Sequence, residues 1–176
     1  IRHPRIFRSL IANEPPAVRI LDKEPRSTGI GKELDSAIAP VIELLEAGDI
    51  EAGARLFAES VAIGPGAWDR IPEPSRAIWL ENASTFLDES REPASLSLDL
   101  EAISLFPRPV LLTHGDLSRP YFAAVVRRLA VALPEATVHC CEGAAHAPHV
   151  SHPEEFVRVV SRFCASADRR NVITAR

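Results

Sequence analysis

Gly143-Ala144-Ala145-His146-Ala147-Pro148-His149, followed shortly by His152-Pro153-Glu154-Glu155-Phe156, is the stretch on which the reading of this chain turns. Just before it, Ala136-Thr137-Val138-His139-Cys140-Cys141 has the length and composition of a short strand. Just after it, Ser151-His152-Pro153-Glu154 reads as a capping box, and Phe156, Val159, Val160 and Phe163 then recur at helical spacing. A strand, a turn of small residues and a capped helix put His146 immediately beyond the carboxyl end of a strand. In open parallel sheets, functional groups collect there.

The same grammar appears upstream. Pro109-Val110-Leu111-Leu112-Thr113-His114 is an apolar run stopped by Gly115-Asp116, and an amphipathic helix follows from Tyr121 to Leu133. Strand, helix, strand, helix with short loops predicts right-handed crossovers and a parallel sheet. Nearer the start, Ile6 to Ala12 reads as a buried strand ending at Asn13-Glu14-Pro15-Pro16, since two prolines cannot continue a ladder. Residues 17 to 35 read as a loop. Between the first and second strands the period is helical throughout. Ile38, Val41, Ile42 and Leu45 lead to Gly48 as a C-terminal cap, and Asp49 caps a helix carrying Ile50, Ala54, Phe57 and Val61. A third helix after Pro74 carries Ile78, Ala83, Phe86 and Leu87. From Ser166 the chain reads as a polar tail.

Composition sets the outer limits. The 176 residues carry 20 basic and 24 acidic side chains, a net charge of -4, with 46% hydrophobic and 25% charged residues, the profile of a soluble globular chain. No apolar run approaches the roughly 20 residues that span a bilayer, and no signal peptide opens the sequence. Without a basic stripe, nucleic acid is not an expected partner. The three cysteines, Cys140, Cys141 and Cys164, are an odd number with two adjacent, which fits a reduced, cytoplasmic setting. Lys23 and Lys32 are the only lysines among the 20 basic residues, a bias associated with GC-rich bacterial genomes. There is no Met, even at position 1, so a piece of a longer chain is expected.

Three strand ends carry polar groups: Glu14 on the first, Asp116 and Ser118 on the second, and the turn bearing His146 on the third. A carboxylate and an imidazole on neighbouring strand ends suit a nucleophilic hydrolase. There the His takes the nucleophile's proton and the acid holds its tautomer. A lone histidine in a Gly/Ala loop is ordinarily a surface residue, and the strand and helix flanking His146 weigh against that. His149 and His152 read as structural residues near the last helix. Their spacing from His146, with Cys140 nearby, invites a metal site, but Pro148 and Pro153 break any shared helical face, so neither metal nor cofactor is expected.

The run Arg5–Pro16, the block Gly64-Pro65-Gly66-Ala67-Trp68, the helix Asn82-Ala83-Ser84-Thr85-Phe86 and above all Gly143–Phe156 resemble the second half of an α/β-hydrolase. The resemblance covers residues 1 to 165. It implies an α/β fold of about three parallel strands with flanking helices and an inserted helical cap. The implied organisation is core at 1–34, cap at 35–92, core at 93–165 and a tail at 166–176. It also implies that His146 is the catalytic base. Most members carry the acid where Ser118 stands here, so Asp116, two residues earlier, is one candidate. Relatives such as haloalkane dehalogenases place it at the end of the preceding strand, where Glu14 stands. Glu14 is the expected acid and Asp116 the second choice.

The family's nucleophile motif, Gly-x-Ser-x-Gly or its Asp version, does not occur in the sequence. Ile1–Pro4 is then expected to be the end of the nucleophile helix, and the chain to be inactive alone. The expected partners are the missing half, or a second copy, on the exposed sheet edge, and a small-molecule substrate. Leu44, Phe57, Trp68, Trp79 and Phe86 are the candidate pocket walls of the cap. The expected activity is hydrolysis of a small apolar ester or lactone. The alternatives are dehalogenase- or epoxide-hydrolase-like chemistry on an Asp nucleophile, and a non-catalytic member acting in interaction.

Overall fold

The computed structural model describes residue 3 and residues 6–22, 29–92, 97–133 and 135–174, with side chains as far as residue 169. Most of Ile1–Pro4 therefore lies outside the described residues. The chain divides into two compact units, one made of Ile1–Ile20 with Leu98–Arg176 and the other of Leu21–Ser97.

The first unit is built on a parallel sheet of three strands in the order β1 (Leu10–Asn13), β2 (Val110–Gly115), β3 (Thr137–Cys141). The register pairs Asn13 with Thr113, and Gly115 with Cys141, so β2 and β3 end together and β1 ends two residues earlier. Central β2 is buried on both faces through Val110, Leu111, Leu112 and Thr113, which is why it reads as a continuous apolar run rather than an alternating one. Helix α6 (Leu100–Ser104) precedes it, and helix α7 (Pro120–Ala132) packs beside it, burying Phe122, Val125, Val126 and Leu129, the i, i+3, i+4, i+7 face of an amphipathic helix. After β3, a one-turn helix α8 (Pro148–Ser151) leads into the long α9 (Pro153–Thr174).

Two expectations fail at this end of the chain. Ser151 does not cap α9: its hydroxyl bonds His152 Nδ1 at 2.8 Å, and His152 instead supplies the first carbonyl acceptor, to Phe156 N–H at 3.0 Å. Pro153 at the first helical position favours that start, because its fixed φ suits a first turn and it has no N–H to satisfy. Nor is the stretch from Ser166 to Thr174 irregular. Helix α9 runs on to Thr174, since no Gly or Pro follows Pro153 to stop it.

The second unit is helical: α1 (Ile30–Glu46), α2 (Ile50–Leu56), a π-helical turn at Phe57–Ala62, α3 (Ala67–Arg70), α4 (Glu73–Glu81) and α5 (Ala83–Ser90). Gly48 ends α1 in the left-handed region (φ 82°), and Asp49 N–H bonds back to Leu44 O at 2.9 Å. The Asp49 side chain then caps α2 by accepting from Ala52 N–H at 3.2 Å. Helix α1 starts earlier than its loop-like composition suggests. Left-handed Gly29 turns the chain in, and Leu34, Val41 and Leu45 then line one buried face. The third sequence helix is two, broken at Asn82, whose Nδ2 bonds the Ile78 carbonyl at 2.8 Å. The helical core gathers Ala54, Ala58 and Trp68, with Ile71, Trp79 and Leu80 packed against them.

Candidate active site

The first unit brings the ends of β1 and β2 and the turn after β3 together. Glu14 follows β1 directly, and its N–H extends the ladder by bonding Thr113 O at 2.9 Å. Its φ is 44°, the left-handed region that a residue with a Cβ occupies only at a cost. That conformation swings the side chain over the strand ends, where it is only 1% exposed. A buried carboxylate is stable only when it is paired or hydrogen-bonded, and this one is both. Oε1 accepts from Gly115 N–H at 2.8 Å, and Oε2 lies 2.6 Å from His146 Nδ1.

Burial pushes the Glu14 carboxyl up. The hydrogen bond from His146, the nearby Ser118 hydroxyl and the Gly115 amide outweigh burial and leave it below the ordinary 4.5. Ser118 Oγ is buried without a partner in hydrogen-bonding geometry, so it acts on the carboxylate by proximity. Because Glu14 is ionised at neutral pH and can only accept, a neutral His146 must carry its proton on Nδ1. The lone pair is then on Nε2. The His146 side chain is 35% exposed, and Nε2 makes no hydrogen bond to the described residues. The imidazole lies flat on Phe122, with centroids 4.7 Å apart and planes 22° from parallel.

The turn that carries His146 is held by backbone. Left-handed Gly143 (φ 71°) starts it, Ala144 N–H returns to Cys141 O at 3.3 Å, and Leu117 N–H reaches Ala144 O at 3.0 Å. Asp116 Oδ1 accepts from Gly143 N–H at 2.7 Å. The structure thus brings Glu14 to the imidazole and engages Asp116 with the turn's backbone. Gly115 is required by the closeness of this packing: a Cβ there would sit 2.1 Å from Ala144 O. Among the described residues no group of three His, Cys, Asp or Glu is placed to hold a metal. Cys141, at the end of β3, has its thiol pushed up to about 11, by burial first and by Glu155 next, so it stays protonated and unreactive at neutral pH.

The second unit has its own apolar cavity of about 250 Å³, walled by Phe57, Trp79, Phe86, Val41, Leu45 and Ile78 among others. Three of the expected wall residues, Phe57, Trp79 and Phe86, line it. Trp68 does not. It is 4% exposed, lies in the helical core and meets Trp79 edge-on at 6.5 Å. Leu45, rather than Leu44, faces the cavity.

Residues 6–159 match the model of the alpha/beta hydrolase family. The chain belongs to that family. Among solved structures it is similar to MenH from S. aureus, with 13% identity and a TM-score of 0.65 over 92% of this chain and 60% of that one. It is also similar to Est816, described as an N-acyl homoserine lactone degrading enzyme, with 15% identity and a TM-score of 0.41 over 85% of this chain and 51% of that one. The chain therefore spans less than two thirds of either protein. No curated protein sequence matches it.

The candidate site also contains residues that sequence reasoning passed over. Asn13, Gly115 and Phe122 touch His146 or its acid, and Thr113 holds Asn13. Asn13 and Gly115 had a signal in the sequence, since both stand at strand ends. Phe122 had none, because its spacing matches any core position of α7.

Proposed function

We propose that this chain supplies the base and acid of an esterase-like hydrolase, with His146 as base and Glu14 as acid. The observation that carries the reading is the 2.6 Å contact between His146 Nδ1 and buried Glu14, with Nε2 left uncommitted. In the proposed reaction, Nε2 removes the proton of a hydroxyl nucleophile as that oxygen attacks the ester carbonyl. The imidazolium then returns the proton to the leaving alcohol. Water, deprotonated by the same nitrogen, releases the acid and restores the site. Glu14 stays ionised throughout and stabilises the imidazolium.

The nucleophile is proposed to come from a segment outside these 176 residues, which contain no Gly-x-Ser-x-Gly. β1 forms one edge of the sheet, and pairing there is the proposed attachment of that segment. The apolar cavity of the helical unit is the proposed holder of the substrate's apolar part, which supports a small, apolar ester or lactone.

The test is turnover of nitrophenyl esters by the full-length protein that contains this chain. His146→Ala is expected to lower kcat by about 10^4-fold. Unchanged turnover would remove His146 from the role.

A further inference from the structure

Asn13 and Glu14 are consecutive, yet both hold His146. Neighbouring side chains on a regular strand point to opposite faces, so two successive residues do not ordinarily share a partner. The left-handed backbone of Glu14 (φ 44°) breaks that alternation. Asn13 Nδ2 donates to the His146 main-chain carbonyl at 3.1 Å, while Glu14 Oε2 takes the ring at Nδ1. The orientation of the Asn13 amide follows from its neighbours. A peptide carbonyl can only accept, so the NH2 must face His146 and Oδ1 must face the other way. There the Thr113 hydroxyl donates to Oδ1 at 2.8 Å. Thr113 is fully buried and lies directly opposite Asn13 in the β1–β2 register, so the relay is anchored in the sheet.

We propose that Asn13, oriented by Thr113, is a positioning residue for His146. It fixes the main chain of the histidine so that Nδ1 meets Glu14 and Nε2 is presented to the reacting groups. The ring bond alone does not do this. The backbone bonds that hold the turn involve Gly143 and Ala144 and stop two residues short of His146, and the ring bond does not tie the histidine's own main chain. A second anchor at the carbonyl makes release of the ring require two bonds to open together. The inference rests on reading His146 as the base, but its primary measurement needs no catalysis.

The experiment is NMR of the full-length protein that contains this chain, labelled with nitrogen-15 histidine, following the Nδ1–H proton of His146 and its exchange with water. Glu14→Gln identifies the signal by displacing it. Asn13→Leu keeps the side-chain size and removes both amide bonds, and should speed Nδ1–H exchange about tenfold. Thr113→Val keeps the β-branched shape and frees the Asn13 amide to turn, which should speed exchange about threefold. If Asn13→Leu does not fold, Thr113→Val carries the same decision. In the full-length protein both variants should lower kcat with KM unchanged.

Exchange unchanged in the folded variants, with only the thermal midpoint lowered, would overturn the proposal and leave Asn13 as a plain tie between strand and loop. Faster exchange in Asn13→Leu, together with turnover that survives His146→Ala, would uphold the positioning role and defeat the reading of His146 as the base.

Discussion

The two units solve opposite problems. At the strand ends of the first, polar side chains are tied to specific partners: Glu14 accepts from Gly115 and holds His146, Asn13 bridges Thr113 and His146, and Asp116 holds Gly143. In the helical unit the rings of Phe57, Trp79 and Phe86 meet at tilted angles around an apolar cavity, with centroids 4.5 Å and 5.9 Å apart. A buried polar network is specified atom by atom, because any unpaired member costs more than it gains. An apolar cluster is specified by volume and pattern, and tolerates exchange within those limits. Substitutions should therefore affect stability and chemistry together in the first unit, and separately in the second.

The largest stability effect should fall where chemistry is least affected. Trp68 is 4% exposed in the helical core, and Trp68→Ala should cost about 4 kcal/mol in urea unfolding. Turnover per folded full-length molecule should change less than about tenfold, since Trp68 does not line the cavity. A loss matching that of His146→Ala would break the distinction between the units.

Gly115→Ala is the converse. The new Cβ would meet backbone oxygen of the His146 turn at 2.1 Å, and no flexible side chain is there to yield. The turn must move, at about 3 kcal/mol, and the Nδ1–Glu14 contact must move with it. Urea unfolding and the Nδ1–H signal of His146 should both respond. A destabilised protein with that signal intact would show that turn and site are not coupled as tightly as the packing implies.

These two positions also show what was legible in the sequence. The meeting of His146 with Glu14 could be anticipated because both stand at strand ends and their flanks are distinctive: small residues and a helix start on one side, a pair of prolines on the other. Trp68 was misplaced as a pocket wall because helical periodicity marks a residue as apolar-facing without saying whether core or cavity lies beyond it. Asn13 escaped notice because its role depends on the left-handed turn of Glu14, and nothing in Asn-Glu-Pro-Pro requires φ of 44° there. The resemblance puts Glu14 ahead of Asp116, and the structure supplies the physical reason: Asp116 Oδ1 is taken by the Gly143 amide while Glu14 Oε2 meets the ring.

A smaller effect tests the electrostatics of the first unit. The Glu14 carboxyl lies below 4.5 in the folded chain because its hydrogen bonds outweigh burial. A group whose folded value is depressed contributes stability above its unfolded value and loses it as pH falls through the folded one. Glu14→Gln should therefore be less stable than the parent by about 2 kcal/mol at pH 7. The gap should narrow in acid below 4.5, as the parent's carboxyl takes up its proton. Urea unfolding of both proteins across that range measures it directly. A gap that widened in acid would mean that burial, not pairing with His146, dominates the site.

The smallest effect belongs to the cavity wall. Phe86 is only partly buried and its ring meets Phe57 at 4.5 Å, so Phe86→Leu loses one aromatic contact while keeping an apolar side chain. The cost should be about 1 kcal/mol of stability, the worth of such a pair beyond its area. If the cavity holds the apolar part of a substrate, KM should rise by about threefold for aryl esters, with kcat unchanged, because the lost contact serves ground state and transition state alike. A fall in kcat instead would mean that the ring orients the reacting bond, and the helical unit would then need the same atom-by-atom description as the strand ends.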